Sequence, residues 1–373
     1  MQVEPKAPRR SRLRWFALGA AAVLAILLVL VVQDRPRWPS EPSYQGRSLS
    51  SWMAERNWIH ARDRAIIAMG TNAVPTLVAY LRTRDSILGR MALASRGFLP
   101  PRLWNLSLRL TRAGEATVRR EQAARALGTL GPAAERSIPA LARAIDDPQR
   151  GVLQPAVAAL LRIGSPALPS LMAALQTKNE LAHHCVCIAL AELATTTLSE
   201  STKSRAAQDL VALLPGLPLS RREHFTQMLT SFGPSVVPAL ASLLQSPQPE
   251  TREASVTVLK RVAAADYSLL KEVIALLKNP DPAIRAGAAQ VLAGPTVWSR
   301  QAVAAIVGTL QDPDESVRLA AVEALASTSD WTDHVTNALP ALRALAVSDS
   351  PQVRASAVAT QARIEALSPR AVE

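Results

Sequence analysis

Cysteine is nearly absent: the 373 residues contain only Cys185 and Cys187, one residue apart on a predicted helix, a spacing that rarely lets two thiols bridge. A disulfide framework is excluded, and the compartment must be read from other signals. Aromatic residues are scarce at 4%, with 7 Trp, 3 Tyr and 4 Phe, against 49% hydrophobic residues in all. The core material is therefore Ala and Leu. Glycine is also scarce, at 15. No Gly-rich phosphate loop follows a strand, and no segment reads as a convincing strand.

The five histidines carry no nucleophile or acid-base pattern. His60, His224 and His334 occur singly, and in Glu223-His224 and Asp333-His334 the neighbours point in different directions on a helix. His183, His184, Cys185 and Cys187 form the one local cluster. His183 and Cys187 lie one turn apart and could share a zinc ion, but Cys185 falls at the register position of Ala320, a small buried site, so core packing is the expectation. No catalytic residue, metal or cofactor is expected.

What the chain does contain is a repeat. In Asp312-Pro313-Asp314-Glu315-Ser316-Val317-Arg318 the Asp-Pro pair breaks one helix, acidic residues cap the next, and the apolar run Leu319 to Ala326 supplies a packing face. The Arg recurs at Arg62, Arg120, Arg222, Arg252, Arg285, Arg318 and Arg354, each of the first six followed six and seven residues later by an apolar pair. Leu153 and His183 fill the position in two divergent copies, so the steps from Arg120 onward run from 30 to 39 residues. Glycine closes a first helix at Gly70, Gly131, Gly164 and Gly233, and proline opens a second at Pro75, Pro139, Pro169, Pro238 and Pro340. Each copy is thus two antiparallel helices, and periods of this size mean a stacked array.

These residues, for example RREQAARALGTLGPAAERSIPALARAIDDP at 119–148, resemble HEAT repeats, specifically the short type also found in phycobilisome lyases. The resemblance covers residues 58–366. It implies an all-α, right-handed α-solenoid of antiparallel helix pairs, about eight repeats long. It implies little about activity, since the fold serves scaffolds, adaptors and a few enzymes.

Ahead of the array, residues 1–14 hold five basic residues and one acid, and WFALGAAAVLAILLVLVV at 15–32 is apolar throughout. That run predicts a single transmembrane helix, an uncleaved signal anchor with Trp15 and Trp38 at the two interfaces. Five basic residues before the span against Arg35 and Arg37 just behind it keep the amino terminus in the cytoplasm. The array is then extracytoplasmic, or periplasmic in a two-membrane bacterium. Pro36, Pro39 and Pro42 make a semi-rigid stalk, and YQGRSLSSWM at 44–53 reads as an aromatic cap in which Ser50 or Ser51 starts a helix, so that 33–57 joins anchor to array. Its Tyr-x-Gly-x-x-Leu-x-x-Trp box resembles one in anchored HEAT-repeat proteins. Residues 367–373 form a short tail.

Net charge is +12, but unevenly placed: residues 58–150 carry fifteen basic and seven acidic residues, residues 151–373 eighteen and nineteen. A nucleic-acid solenoid would show its basic stripe along the whole array, so nucleic acid is not the expected partner. The step from Arg62 to Arg120 is 58 residues, which places an insertion near 84–116. Its Arg90, Arg96, Phe98, Arg102, Trp104 and Arg109 form the candidate interaction or membrane-surface patch; the competing reading is an extra helix pair with solvated Arg. The functional expectation is a membrane-anchored scaffold that binds protein partners on a concave face lined by the second helices, such as Pro139 to Ile145, Pro238 to Leu244 and Ala302 to Leu310. An enzyme of the phycobilin-lyase kind and a nucleic-acid-binding HEAT protein are the alternatives.

Overall fold

The computed structural model describes residues 41–54, 59–98, 100–111, 113–265, 269–293, 300–327 and 333–367. The basic tail, the apolar run at 15–32 and most of the stalk lie outside the described residues. Among the described residues, no helix is long and apolar enough to cross a membrane.

The chain divides into two compact units, Met1–Ala174 and Leu175–Glu373. The first opens with a feature the sequence reading missed, a two-stranded antiparallel hairpin of β1 (Ser43–Tyr44) and β2 (Arg47–Ser48). Its turn uses Gln45 and Gly46, both with positive φ (49° and 73°), as tight hairpins require. Helix α1 (Leu49–Ala54) follows, and it starts two to three residues earlier than expected: the Ser51 amide donates to Ser48 Oγ at 3.4 Å, so Ser48 is the cap. Then come α2 (Ile59–Met69), α3 (Val74–Leu81), α4 (Ile87–Ala94), α5 (Pro101–Thr111), α6 (Glu115–Leu130), α7 (Ile138–Ala144), α8 (Arg150–Ile163) and α9 (Leu168–Ala174).

The second unit contains α10 (Glu180–Thr196), α11 (Glu200–Leu213), α12 (Leu219–Thr230), α13 (Val237–Leu243), α14 (Pro249–Ala265), α15 (Leu270–Leu276), α16 (Pro282–Leu292), α17 (Arg300–Thr309), α18 (Glu315–Ala326), α19 (Asp333–Thr336), α20 (Leu339–Leu345) and α21 (Pro351–Leu367). A long first helix and a shorter second one alternate in both units, and α21 is the truncated last copy.

The punctuation works as the residue types dictate. Gly70, Gly131, Gly164 and Gly233 all have positive φ, between 56° and 90°, a region closed to most side chains. Pro75, Pro139, Pro238 and Pro340 sit in the first turn of their helices, where no amide donor is needed. Two first helices of the second unit are capped by aspartates: Asp281 Oδ1 accepts from the Ala283 amide at 2.8 Å and Asp314 Oδ1 from the Ser316 amide at 2.9 Å. Their inner faces are Ala and Leu. Leu127, Leu153 and Leu160 are fully buried between α6 and α8, and a Cβ on Gly128 would lie 3.3 Å from Ala159 Cα. Truncating one of these leucines to Ala should cost about 2–5 kcal/mol.

Candidate functional site

The insertion is an extra helix pair, α4 and α5, placed between α3 and α6. Its base is closed by Asp85, whose Oδ1 accepts from the Gly114 amide at 2.9 Å. Its two helices are tied by Trp104, whose indole donates to Ala92 O at 3.0 Å. Trp104 is half-buried, and the Arg96 guanidinium stands 5.6 Å from its ring centroid. These two of the six predicted patch residues are engaged inside the insertion. All but Trp104 are exposed, Arg96 together with Arg90, Phe98, Arg102 and Arg109, and Phe98 reaches 90%.

Sequence reasoning missed the apolar half of this surface. Helix α5 turns Trp104, Ser107, Leu108 and Thr111 partly inward, while Leu103, Leu106 and Leu110, at helical spacing on another face, stay exposed at 54%, 51% and 70%. Ile87 and Met91 do the same on α4, at 67% and 64%. Among the described residues, seven of the thirteen large hydrophobic side chains left exposed lie between Ile87 and Leu110. The signal was the Leu-x-x-Leu-x-x-x-Leu spacing, which repeats alongside the Trp104 face and gives α5 one more apolar stripe than packing in its own hairpin needs.

The aromatic box behaves as a cap. Leu49 is fully buried, Trp52 is buried with its indole donating to Tyr44 O at 3.1 Å, and the Arg47 guanidinium lies 4.2 Å from the Trp52 ring centroid. Tyr80 Oη donates to Glu41 Oε1 at 2.6 Å, and Ser50 Oγ donates to Glu41 Oε2 at 2.6 Å. Burial raises the Glu41 pKa, but these hydrogen bonds outweigh it and hold the carboxyl below its ordinary range.

In the second unit His183 is buried on α10, with Nδ1 3.1 Å from Leu175 O and Nε2 3.6 Å from Cys187 Sγ. Burial draws the imidazole below its usual range and pushes the Cys187 thiol up to about 12. Cys185, expected to be buried, is half-buried, and Cys187 occupies the core. His184 and His224, which the sequence leaves in separate repeats, meet edge to face with centroids 4.2 Å apart. Among the described residues, no three His, Cys, Asp or Glu side chains gather as a metal site would need.

A groove of about 380 Å³ opens across three consecutive first helices, α14, α16 and α18. Leu244, Val256, Ala286, Gly287 and Leu319 line it with Arg252, Gln290 and Glu323. A Cβ on Gly287 would meet the Leu244 side chain at 2.8 Å, so the absence of a side chain lets α16 approach Leu244 closely at the floor of the groove.

Residues 106–191 and 270–362 match the family model described as HEAT repeats. Those two stretches are similar to HEAT repeats. Among solved structures, the chain is similar to an engineered protein, at 18% identity over 85% of this chain and 93% of that one, with a TM-score of 0.28. A designed armadillo repeat protein in complex with a (KR)4 peptide matches at 19% identity over 61% and 99% of the two chains, with a TM-score of 0.27. Computationally designed armadillo repeat proteins for modular peptide recognition match at 18% over 60% and 98%, with a TM-score of 0.30. No curated protein matches the chain.

Proposed function

We propose that this chain is a membrane-anchored HEAT-repeat scaffold that holds a protein partner along its repeats. Residues 15–32 are the anchor, the amino terminus is cytoplasmic, and the repeats stand on the opposite side, in the periplasm of a two-membrane bacterium. The observation that carries the reading is the groove across α14, α16 and α18. Ala283, Ala286, Gly287 and Gln290 of α16 and Ser316, Leu319, Ala320 and Glu323 of α18 hold equivalent register positions in it, with small apolar side chains for an extended chain and Arg252, Gln290 and Glu323 for its polar groups. The near-neutral charge after residue 150 favours a protein over a nucleic acid.

The test is crosslinking and co-purification of the full chain from native membranes, comparing wild type with Leu319→Arg, a side chain at the groove. A protein crosslinked to wild type and lost from the variant is the expected result. Equal recovery by both forms, or a coloured complex on mixing with bilins, would overturn it. A reporter active only outside the cytoplasm, fused after Glu373, should work; activity of a cytoplasmic reporter there would reverse the topology.

A further inference from the structure

We infer that the α4–α5 insertion is a bilayer-contact device, lying flat on the anionic headgroup surface of the membrane that anchors the chain. Ile87, Met91, Phe98, Leu103, Leu106 and Leu110 enter the interface, and Arg90, Arg102 and Arg109 pair with lipid phosphates. The inference rests on the anchoring part of the proposed function and goes beyond it.

Three independent observations converge on lipid as the occupant. The first is charge: from Ser86 to Gly114 there are five Arg and no Asp or Glu, so an anionic surface meets no repulsion. The second is the form of the apolar surface. Exposed Leu103, Leu106 and Leu110 run along one side of α5, beside the exposed Arg102 and Arg109, the arrangement of a helix lying in a membrane interface. Phe98, at the connection between the helices, is 90% exposed.

The third is reach. The first described residue is Glu41, so eight residues separate it from the end of the apolar run at Val32, about 30 Å when fully extended. Glu41 is not free to wander from the insertion. It accepts a hydrogen bond from Tyr80 at 2.6 Å, Thr83 Oγ1 bonds Tyr80 O at 2.7 Å, and Asp85 closes the insertion's base two residues later. The tether therefore ends beside the insertion, and its short length keeps α4 and α5 near the same bilayer. An acidic protein would satisfy the arginines, but nothing about the tether would favour it.

The experiment uses the full chain reconstituted into vesicles of phosphatidylcholine with or without phosphatidylglycerol, carrying an environment-sensitive unnatural amino acid at position 106. Flotation reports anchoring; quenching by nitroxide lipids or by aqueous iodide reports where position 106 lies. In phosphatidylglycerol vesicles the expected result is quenching by the lipid probe and protection from iodide. The Arg90→Gln/Arg102→Gln/Arg109→Gln form should still float but shift on the order of 100-fold toward the iodide-accessible state, as three headgroup pairings predict. Flotation with full iodide access in wild type overturns the inference and leaves the anchor standing. Flotation lost in the substituted form shows that the insertion alone holds the membrane, which sinks the anchor and keeps the inference. Protection that needs added membrane proteins rather than lipid, or loss of the helical signal in the substituted form, overturns it.

Discussion

Arg285 holds Asp312 with both arms of its guanidinium, Nε to Oδ2 and Nη2 to Oδ1 each at 2.8 Å, while Nη1 donates to Asn279 O at 2.9 Å and Pro280 O at 3.0 Å. One side chain thus joins the loop before α16 to the loop before α18. Hydrogen bonding to Arg285 holds the Asp312 carboxyl below its ordinary range. The pair then contributes stability above the unfolded value of about 3.9, and that contribution is lost as pH falls through the depressed value. We expect Arg285→Ala to cost about 2 kcal/mol, since it strands a largely buried carboxylate and two carbonyls. Arg285→Lys should recover only part of this, because an ammonium cannot reproduce the fork. Denaturant midpoints near pH 7 check both; equal midpoints for wild type and Arg285→Lys would refute the clamp.

That arginine shows how far the sequence could be read. Its recurrence revealed the repeat, yet the sequence-level reading used it only as a register mark. In the structure Arg252, Arg318 and Arg354 each donate Nη1 to the carbonyl six residues back, at 2.7 to 2.8 Å, and Arg120 reaches Asp147 at 2.8 Å. Periodicity is a one-dimensional signal and survives in the chain. The carbonyl a guanidinium finds depends on the path of a loop, which residue type does not encode. The same limit hid the exposed leucines of α5: their spacing is plain, but whether a stripe is covered depends on what folds back over it.

Glycine positions should separate sharply by backbone conformation. Gly164 has φ 90° and ψ −147° at the end of α8, where any side chain is strained. Gly308, inside α17, has ordinary helical placement and open space around an added Cβ. Gly164→Ala should therefore destabilise by about 1–3 kcal/mol, and Gly308→Ala should stabilise by about 0.5–1 kcal/mol. Thermal melts of the two variants, run against wild type, carry opposite signs if the turn geometry is right.

His183 gives a pH dependence with a definite sign. Its folded pKa is depressed by burial, so on acidification the unfolded chain takes up a proton near the ordinary value of about 6.5 while the folded one does not. Stability should fall as pH drops below that value and level off once the folded imidazole itself protonates. His183→Asn, whose amide can still donate to the Leu175 carbonyl, should flatten the curve between pH 7 and 5. Superimposable curves would mean that the imidazole is protonated in place without penalty. In the same cluster Cys187, with its thiol pushed up to about 12, should resist maleimide until the protein is unfolded.

The last prediction concerns the contact that ties the tether to the array. Tyr80 Oη donates to Glu41 Oε1 at 2.6 Å across thirty-nine residues, and burial, with Glu41 beside it, raises the tyrosine pKa well above its usual range. The same carboxylate accepts from the backbone and side chain of Ser50, so one group fixes both the start of the cap and the end of α3. Tyr80→Phe removes the bond while keeping the ring, and it should cost about 1–2 kcal/mol because Glu41 keeps its Ser50 and Ser48 partners but loses the phenol. The consequence should be local: hydrogen exchange should speed up in the hairpin and α1, residues 43–54, and stay unchanged in α14 to α18, since stability in stacked repeats is carried by near neighbours. Glu41→Gln should give the same pattern in weaker form, because an amide oxygen accepts from Tyr80 without the charge. Uniform acceleration along the chain would show that this contact supports the whole array. Unchanged exchange at 43–54 would show that Trp52 and Leu49 hold the cap without it, and that the anchor end swings free of the insertion.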